Sequence, residues 1–511
     1  MHAKIFSATT IGIEAHLVEV EVDLSYGMLQ FFIVGLPDTA IKESRQRIAT
    51  AIKNSGIRLP ERKITVNLAP ADLKKEGTLF DLPIAIGILA AAQLIKIESA
   101  FLHETLIIGE LSLDGTIRSI KGALPIAFDA QILGKKRLVV PKENAHEAAL
   151  INGVEVIGVS NLVEIISFLR GELSIPPTKT SYIPKNIISA DLDFGQVKGQ
   201  HQAKRALQIC AAGRHNILFI GPPGSGKTML AKRLPSIMPP LSFQEILETT
   251  KVYSVSGKLQ KQLITERPFR NPHHTISQAG LVGGGSFPQP GEISLTHNGI
   301  LFLDELTEFK RTTLEVLRQP LENKSVCISR ANQSVTFPAS FLLIAALNPC
   351  PCGFLGDAKR NCHCSRTAIE HYLAKLSGPL LDRIDLQINV PSLDYDTLKK
   401  TDAPALTSAE LFAGVQNALD AQAKRFGNQH EFNSNMNSQQ IDAFCVLTPD
   451  AEHLIKQAFE KLHLSMRGYH KILKVARTIA DIENSLIIEM PHIREAIFYR
   501  SLDATLEKMR S

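Results

Sequence analysis

The sequence predicts a multidomain α/β protein, and three observations lead to that fold class. The 511 residues are too many for one small module, since a domain typically has roughly 150. Strand-like apolar runs alternate with helical patterns up to residue 391, and the rest of the chain is mainly helical. A polar stretch with three prolines separates two of these regions, as a linker would. The predicted units are therefore 1–170, 194–391 and 392–511, with a linker at 171–193.

The first and last units contain elements that the residue patterns predict directly. Alternating apolar and polar residues predict a strand at His16–Val22, and helical periodicity predicts a helix at Ala40–Asn54. The same periodicity predicts helices at Ser408–Arg425 and His470–Asn484. The polar, asparagine-rich segment Phe426–Gln440 between these two helices lacks periodicity, so we expect a mobile loop there.

A phosphate-binding loop, GPPGSGKT, begins at Gly221 after a short apolar strand and is followed by a helix. Its glycines let backbone N–H groups close around phosphate oxygens without side-chain clashes. Lys227 is expected to reach the β and γ phosphates of ATP, and Thr228 to hold Mg²⁺. The predicted ATP site therefore consists of Gly221, Pro222, Pro223, Gly224, Ser225, Gly226, Lys227 and Thr228.

Two further buried-type strands end in polar residues. The strand after Gly299 ends in Asp304 and Glu305, at the end of a parallel strand where such sheets bind ligands. Asp304 is expected to bind Mg²⁺, directly or through water, and Glu305 to polarise the water that attacks the γ phosphate. The strand after Phe341 ends in Asn348, which either orients that water or caps the following turn.

Four of the seven cysteines fall within the fifteen residues of a predicted zinc-binding loop, 350–364. Four thiolates complete a tetrahedral zinc site and leave no open position, so the zinc would be structural. The spacing within each pair is tighter than usual, which leaves open that His363 replaces one sulfur or that the thiols are free. The predicted ligands are Cys350, Cys352, Cys362 and Cys364. The other cysteines, Cys210, Cys327 and Cys445, are interpreted as packing residues.

Composition excludes several classes of protein. With 44% hydrophobic and 21% charged residues, the chain can bury cores and is not disordered as a whole. Its longest apolar stretch, Leu82–Ile95, is shorter than a membrane span, and residues 1–22 do not have the pattern of a signal peptide. We therefore expect a cytoplasmic protein with no membrane partner. The net charge of +5 neither demands nor excludes a nucleic-acid partner.

The spacing of the ATP-site motifs resembles that of the AAA+ ATPases. More narrowly, the segments Pro268–His274, Gly283–Ser294 and Leu301–Leu306 are similar to those of the magnesium-chelatase-like YifB/ComM family, and the similarity extends over essentially the whole chain. The resemblance implies an AAA+ α/β/α core at 194–391, a helical lid at 392–511 and assembly into a homo-hexameric ring.

The resemblance also implies roles for two arginines. Arg383 resembles the arginine finger of MCM-type helicases, which reaches the nucleotide of a neighbouring subunit, and Arg467 falls where the sensor 2 arginine is found. Guanidinium groups at these places would stabilise the charge that spreads over the phosphate oxygens during transfer. Surface salt bridges are the alternative for both residues.

Two inserts resemble the loops that MCM-like rings place in their central pore. The first is Arg267–Glu292, and the second is Lys324–Pro338, a predicted β-hairpin. Solvated surface charge is the alternative role for their cations. With no tryptophan and 6% aromatic residues, contact with branched or duplex DNA would be electrostatic and independent of sequence. The candidate DNA-contacting residues are Arg270, Lys324 and Arg330.

Residues 1–170 resemble the Lon-protease domain, which has the fold of ribosomal protein S5 domain 2. The similar stretches are Lys75–Ile84 and Gly109–Gly115. Leu79 occupies the position of the nucleophilic serine, and the lysine expected near Leu124 is missing. Because a Ser-Lys dyad needs a hydroxyl and an amine, we interpret this domain as inactive in proteolysis and suited to binding or oligomerisation.

The resemblance implies an ATP-driven hexameric ring motor on DNA: a branch-migration helicase that promotes homologous recombination of incoming DNA in natural transformation. The alternative is a magnesium-chelatase-type motor that remodels a protein partner, although the sequence contains no recognisable integrin-like metal-binding domain. A third function, ATP-dependent proteolysis, is disfavoured by Leu79.

Overall fold

The computed structural model describes residues 2–28, 30–59, 61–75, 77–179, 192–259, 263–285, 288–330, 333–357, 359–393, 406–462 and 464–500. The chain forms two compact units. The first comprises 1–184 and 246–265, and the second comprises 185–245 and 266–511. The sequence did not indicate that the segment 246–265 groups with the first unit.

The first unit contains a four-stranded sheet in the order β1-β2-β4-β3. Its strands are β1 (His2–Ile11), β2 (Glu14–Ser25), β3 (Gln30–Val34) and β4 (Lys63–Ala69). The pairs β1–β2 and β2–β4 are antiparallel, and β3–β4 is parallel. Alternate residues of β2, including Val18, Val20 and Val22, are fully buried, so the alternating pattern of the sequence directs one face of the sheet into the core.

Two smaller sheets complete the strands of the first unit. A parallel sheet has the order β5-β8-β9, and a short antiparallel pair joins β6 to β7. These strands are β5 (Thr105–Ile107), β6 (Glu110–Leu111), β7 (Ile117–Arg118), β8 (Arg137–Pro141) and β9 (Glu155–Val159).

The helices of the first unit include one that explains the longest apolar run of the sequence. Helix Asp81–Ala91 is buried on nearly every side, so this run forms a core helix. None of the helices described is both long and apolar enough to cross a membrane. The other helices are Thr39–Asn54, Ser99–His103, Ala123–Ala130, Lys142–Ala148 and Leu162–Leu169.

The second unit is built on a five-stranded parallel sheet in the order β11-β14-β17-β10-β18. The strands are β10 (Ile217–Ile220), β11 (Phe269–Arg270), β14 (Ile300–Leu303), β17 (Leu342–Leu347) and β18 (Leu386–Asn389). Every residue of β10, β14 and β17 is buried, which explains their continuous apolar sequences. Two antiparallel pairs accompany the sheet: β12 (Gly283–Gly284) with β13 (Gln289–Pro290), and β15 (Ser325–Arg330) with β16 (Gln333–Pro338). The second pair confirms the predicted hairpin.

Helices surround this sheet and form the carboxyl-terminal part of the unit. The helices of the sheet region are His201–Gly213, Lys227–Arg233, Gln278–Val282, Glu292–Leu295, Arg311–Glu315, Arg318–Asn323, Arg366–Leu373 and Gly378–Leu381. Helix Phe243–Ser256 begins in the second unit, and its residues from 246 onward group with the first. Short 3₁₀ turns lie at Phe194–Gln196, Leu234–Ile237, Leu306–Glu308 and Asn433–Asn435. The carboxyl-terminal helices are Ser408–Phe426, Ser438–Phe444, Pro449–Lys461, Met466–Ile482 and Met490–Phe498. They confirm the helices predicted in this region.

The prediction of a mobile loop at 426–440 is wrong. This segment contains a 3₁₀ turn and the start of a helix, and Asn433 within it is fully buried. The Asn433 amide donates to Asp481 and Thr478, so the asparagine that looked solvent-facing in the sequence finds its partners inside the protein.

Asp481 is the centre of a buried charge network. Its carboxylate accepts from Arg425 at 2.8 and 2.5 Å, from Arg477 at 3.1 Å and from the Asn433 amide at 2.8 Å. Asp481 and Arg477 are almost fully buried, so each needs the other for charge compensation.

Asp481→Ala is expected to destabilise the second unit by about 3–5 kcal/mol, because two guanidinium groups lose their shared counter-ion. The urea midpoint of unfolding measures this change. Glu460→Ala, at an exposed position of a neighbouring helix, is the control and should shift stability by less than about 0.5 kcal/mol. Equal midpoints for the two variants would contradict the stabilising role of the network.

Candidate nucleotide site and metal centre

Three adjacent parallel strands end at the same edge of the sheet. Strand β17 lies between β10 and β14, with Leu347 opposite Ile220 and Ala345 opposite Leu303. The phosphate loop follows β10, the acidic pair follows β14, and Asn348 follows β17. The predicted groups therefore come together from three separate parts of the chain.

The phosphate loop turns sharply into the helix that begins at Lys227. Gly226, directly before that helix, has φ 93°, a left-handed conformation that favours glycine. The hydroxyl oxygen of Ser225 is buried and has no hydrogen-bond partner among the residues described. Buried polar atoms normally have partners, so this hydroxyl fits a loop that binds a phosphate oxygen.

Lys227 connects the phosphate loop to the neighbouring strand. Its Nζ donates to the carbonyl oxygens of Gly221 (2.7 Å) and Pro222 (3.0 Å) and to Oδ1 of Asn348 (3.1 Å). Burial lowers the pKa of Lys227, and the nearby carboxylates of Asp304 and Glu305 oppose that shift. The lysine thus holds the loop in shape while its ammonium lies beside the expected phosphate position.

Thr228 and Asp304 form an oxygen-rich pair. The Thr228 hydroxyl donates to Oδ2 of Asp304 at 2.7 Å, and Oδ1 of Asp304 accepts from the backbone N–H of Glu305 at 3.0 Å. A hydroxyl and a carboxylate are the kinds of ligand that Mg²⁺ takes from proteins next to bound phosphates. These two residues therefore fit the predicted Mg²⁺ site.

Glu305 projects from the end of β14 in a left-handed conformation, φ 51°, and its side chain is 56% exposed. Its Oε2 lies 3.5 Å from Nδ1 of His274. The ring of His274 is tilted by 33° to that of His273, with the ring centroids 4.1 Å apart. The sequence alone indicates no role for His274. The only signal was its place in the Pro268–His274 motif, and spacing along the chain could not show that this insert contacts Glu305.

The structure does not bring Arg383 and Arg467 to this edge. Arg383 precedes β18, and β18 runs parallel to β10, so Arg383 lies near the amino-terminal edge of the sheet. Four residues of strand separate the two edges by about 13 Å. Both arginines instead contact Oε1 of Glu322, at 2.5 Å from Arg383 and 2.9 Å from Arg467, and they lower the pKa of Glu322.

These arginines line a cavity of about 580 Å³ that is rich in positive charge. The buried Nε atoms of Arg383 and Arg214 have no hydrogen-bond partners among the residues described. The carboxylates that line the cavity are those of Glu322 and Asp385. The cations that line it are Arg214, Lys324, Arg383, Arg467, Lys471 and Lys474. The excess of positive charge makes this cavity suited to an anion.

The candidate DNA contacts are not gathered in one place. Arg270 forms a bidentate ion pair with Glu292. Its Nε donates to Oε2 at 2.6 Å, and its Nη2 donates to Oε1 at 2.7 Å. Lys324 lines the cavity described above, where burial lowers its pKa. The backbone of Arg330 ends β15, and its side chain lies outside the described part of the structure.

The four predicted zinc ligands converge. The Cys350 sulfur lies 3.4 Å from that of Cys352 and 3.6 Å from that of Cys362, and the sulfurs of Cys352 and Cys362 are 3.6 Å apart. All four sulfurs, including that of Cys364, lie within 4.8 Å of one another. Tetrahedral zinc with bonds of about 2.3 Å places its sulfurs about 3.8 Å apart, so the cluster fits that ion.

His363 and the other three cysteines are not members of this four-sulfur cluster. His363 is exposed and does not belong to the group of converging ligand atoms found among the residues described. Cys210 and Cys445 are buried, as predicted for packing residues. The packing interpretation is wrong for Cys327, which is exposed on the hairpin with its sulfur near two serine hydroxyls.

In the first unit, the two stretches that resemble Lon lie together. The backbone N–H of Gly109 donates to the Leu79 carbonyl at 2.9 Å, and that of Leu82 donates to the Gly109 carbonyl at 3.0 Å. The Leu79 side chain packs against the hydrophobic core. The position of the expected nucleophile thus carries an apolar group.

Comparison with known proteins gives matches along the chain. Three family models match: magnesium chelatase, subunit ChlI, over residues 193–398; subunit ChlI of Mg-chelatase over 20–144; and its C-terminal region over 405–500. Competence protein ComM of Haemophilus influenzae is 43% identical over 99% of both chains. The uncharacterized protein YifB of Escherichia coli is 42% identical over 98% of this chain and 97% of its own. Lon protease 2 of Bacillus subtilis is 29% identical over 28% of this chain and 27% of its own.

Proposed function

Because the chain belongs to the magnesium-chelatase-like YifB/ComM family of AAA+ proteins, we propose that it hydrolyses ATP to drive a hexameric ring along DNA. The observation that carries the ATPase part is the convergence of Lys227, Thr228, Asp304 and Asn348 at one sheet edge. The DNA part is supported by the full-length similarity to a competence protein. The proposed action is branch migration during recombination of incoming DNA, in the cytoplasm.

The residues of the nucleotide edge have distinct roles in this proposal. ATP supplies the phosphoryl group, and Mg²⁺, when bound, neutralises part of its charge. The loop N–H groups and Lys227 bind the phosphates, while Thr228 and Asp304 hold the ion. Glu305, which is exposed at the strand end, orients and polarises the attacking water, and Asn348 positions that water from the adjacent strand.

Arg383 and Arg467 are proposed to act on the nucleotide of a neighbouring subunit. Their distance from the phosphate loop of their own chain argues against action in the same subunit. The excess of positive charge in the cavity supports binding of an anion. A phosphate from the neighbour would compete with Glu322 for both guanidinium groups. The site would then be complete only at a subunit boundary, as in a closed ring.

Contact with DNA is proposed to be electrostatic and independent of sequence. To bind a DNA phosphate, Arg270 would break its ion pair with Glu292. Lys324 would have to turn its side chain out of the cavity. Arg330, on the hairpin, is the third proposed contact. The domain at 1–170 is proposed to serve binding or oligomerisation, since Leu79 provides no nucleophile.

The matches to chelatase subunits favour a second candidate function. In that alternative the same ATP site would drive remodelling of a protein partner. The two functions differ in whether DNA stimulates the ATPase.

The four-cysteine loop is proposed to hold one structural zinc ion. The sulfur geometry fits tetrahedral coordination, and four sulfurs leave no position open for a substrate.

Lys227→Ala is expected to lower ATP hydrolysis by about two orders of magnitude or more, since it removes the charge beside the phosphates. Steady-state phosphate release, with and without branched DNA, measures this effect. Wild type should be stimulated by DNA, less so at high salt, and should migrate a labelled branch. Lys232→Ala, at an exposed position of the same helix, is the control. ATPase activity that no DNA stimulates, with no branch migration, would favour the chelatase-type motor.

Mixed rings test whether Arg383 acts between subunits. Arg383→Ala and Lys227→Ala should each be inactive alone, but co-expressed chains purified through two different tags should regain roughly a quarter of the wild-type sites. Each regained site combines an intact loop from one chain with an intact Arg383 from the other. Mixed rings as inactive as the single variants would show that Arg383 does not act in this way.

Protein purified without chelator is expected to contain about one zinc per chain, because four converging thiolates favour that ion. Metal analysis by mass spectrometry measures the content. Cys362→Ala should lose most of it, whereas Cys327→Ala, at an exposed cysteine outside the cluster, should keep it. Wild-type content well below one zinc per chain would rule out the structural zinc.

A further inference from the structure

The cysteine loop also touches the phosphate loop. Gly353, directly after the second zinc ligand, has φ 85° and faces the ring of Pro223. A Cβ at Gly353 would lie 2.5 Å from Cδ and 2.9 Å from Cγ of Pro223, and 3.8 Å from Cβ of Asn348. The backbone of the cysteine loop therefore packs directly on the phosphate loop, and only glycine fits between them.

The same loop is anchored to the strand that carries Asn348. Cys350 follows Asn348 by two residues, is buried, and accepts through its carbonyl from the Gly353 N–H at 2.9 Å. Asn348 in turn accepts from Lys227. The turn at Cys350–Gly353 is thus fixed between the sheet on one side and Pro223 on the other.

The position of this turn depends on the cysteine cluster. The Cys352 N–H donates to the sulfur of Cys364, with the nitrogen 3.4 Å from the sulfur. The turn at the start of the cysteine loop therefore contacts the last cysteine of that loop. A tetrahedral zinc ion would bond all four sulfurs at once and so join the two cysteine pairs. A bound metal would therefore hold both ends of the loop together and keep the turn against Pro223.

We propose that metal bound by the four cysteines fixes the phosphate loop through the Gly353–Pro223 contact, so that nucleotide affinity depends on metal occupancy. The proposal rests on the ATP and zinc sites proposed above and adds a link between them. A loop already held in its binding shape loses less freedom when it binds a ligand, and therefore binds it more tightly.

Two glycines of the cysteine loop provide a matched pair of variants. Gly353 and Gly356 both have left-handed backbones, φ 85° and 76°, but nothing lies within 4 Å of a Cβ at Gly356. Alanine strains the backbone at both positions and clashes with the phosphate loop only at Gly353. Comparing the two separates the contact from the strain.

The experiment measures zinc content and the Kd of a fluorescent, non-hydrolysable ATP analogue with Mg²⁺, in the full-length protein. Gly353→Ala is expected to raise the Kd about tenfold or more, because a displaced loop misplaces its N–H groups. Gly356→Ala should stay within about threefold of wild type. Adding Pro223→Ala to Gly353→Ala removes the clashing ring and should recover part of the lost affinity.

The second arm of the experiment removes the metal and measures the same Kd. Wild type stripped of zinc and resupplied with Mg²⁺ should lose nucleotide affinity, and zinc should restore it. In Gly353→Ala the same treatment should have a smaller effect, because the contact is already disturbed.

The proposal is overturned if zinc-free wild type binds the analogue normally. Wild-type affinity in Gly353→Ala would overturn it as well, and so would a double variant with no recovery. Failure of zinc-loaded wild type to bind the analogue at all would be a different result, since it contradicts the proposed ATP site itself.

Discussion

Parallel pairing of β10, β17 and β14 is the constraint on which the nucleotide site depends. Because the strands run in one direction, the residues that follow them meet at one edge, although they are far apart in the sequence. The central place of β17 puts Asn348 within 3.1 Å of Lys227. The same constraint sends the residues before β18 to the opposite edge, so Arg383 is excluded from the site that its own chain builds.

The two edges differ in how their charges are compensated. At the nucleotide edge, the Lys227 ammonium donates to neutral carbonyl and amide oxygens and can bind phosphates without losing a salt bridge. At the opposite edge, one carboxylate, Glu322, serves both Arg383 and Arg467. Two guanidinium groups on one carboxylate leave a net positive charge at this edge.

The sequence predicted the parts of the site that depend on local pattern. Apolar runs followed by Lys227, Asp304 or Asn348 identify strand ends, and two cysteine pairs identify a ligand set. It could not predict the contact of His274 with Glu305 or the shared role of Glu322, because those pairs join segments that only the tertiary fold brings together. The prediction of a mobile loop around Asn433 was wrong, because a sequence does not distinguish a buried asparagine amide from a solvated one.

Two groups of the nucleotide edge, Lys227 and Glu305, each have a second connection that leads away from it. Glu305 meets His274 of the insert, and Lys227 meets Asn348, the residue from which the chain enters the cysteine loop. Thr228 and Asp304 instead contact each other within the site. A displacement of the insert would therefore change the surroundings of Glu305, the carboxylate proposed to polarise water, whereas a displacement of the cysteine loop would change the phosphate loop that Gly353 contacts. With the proposed roles of these residues, hydrolysis would depend on the insert and nucleotide binding on the cysteine loop, because the two loops end on different residues.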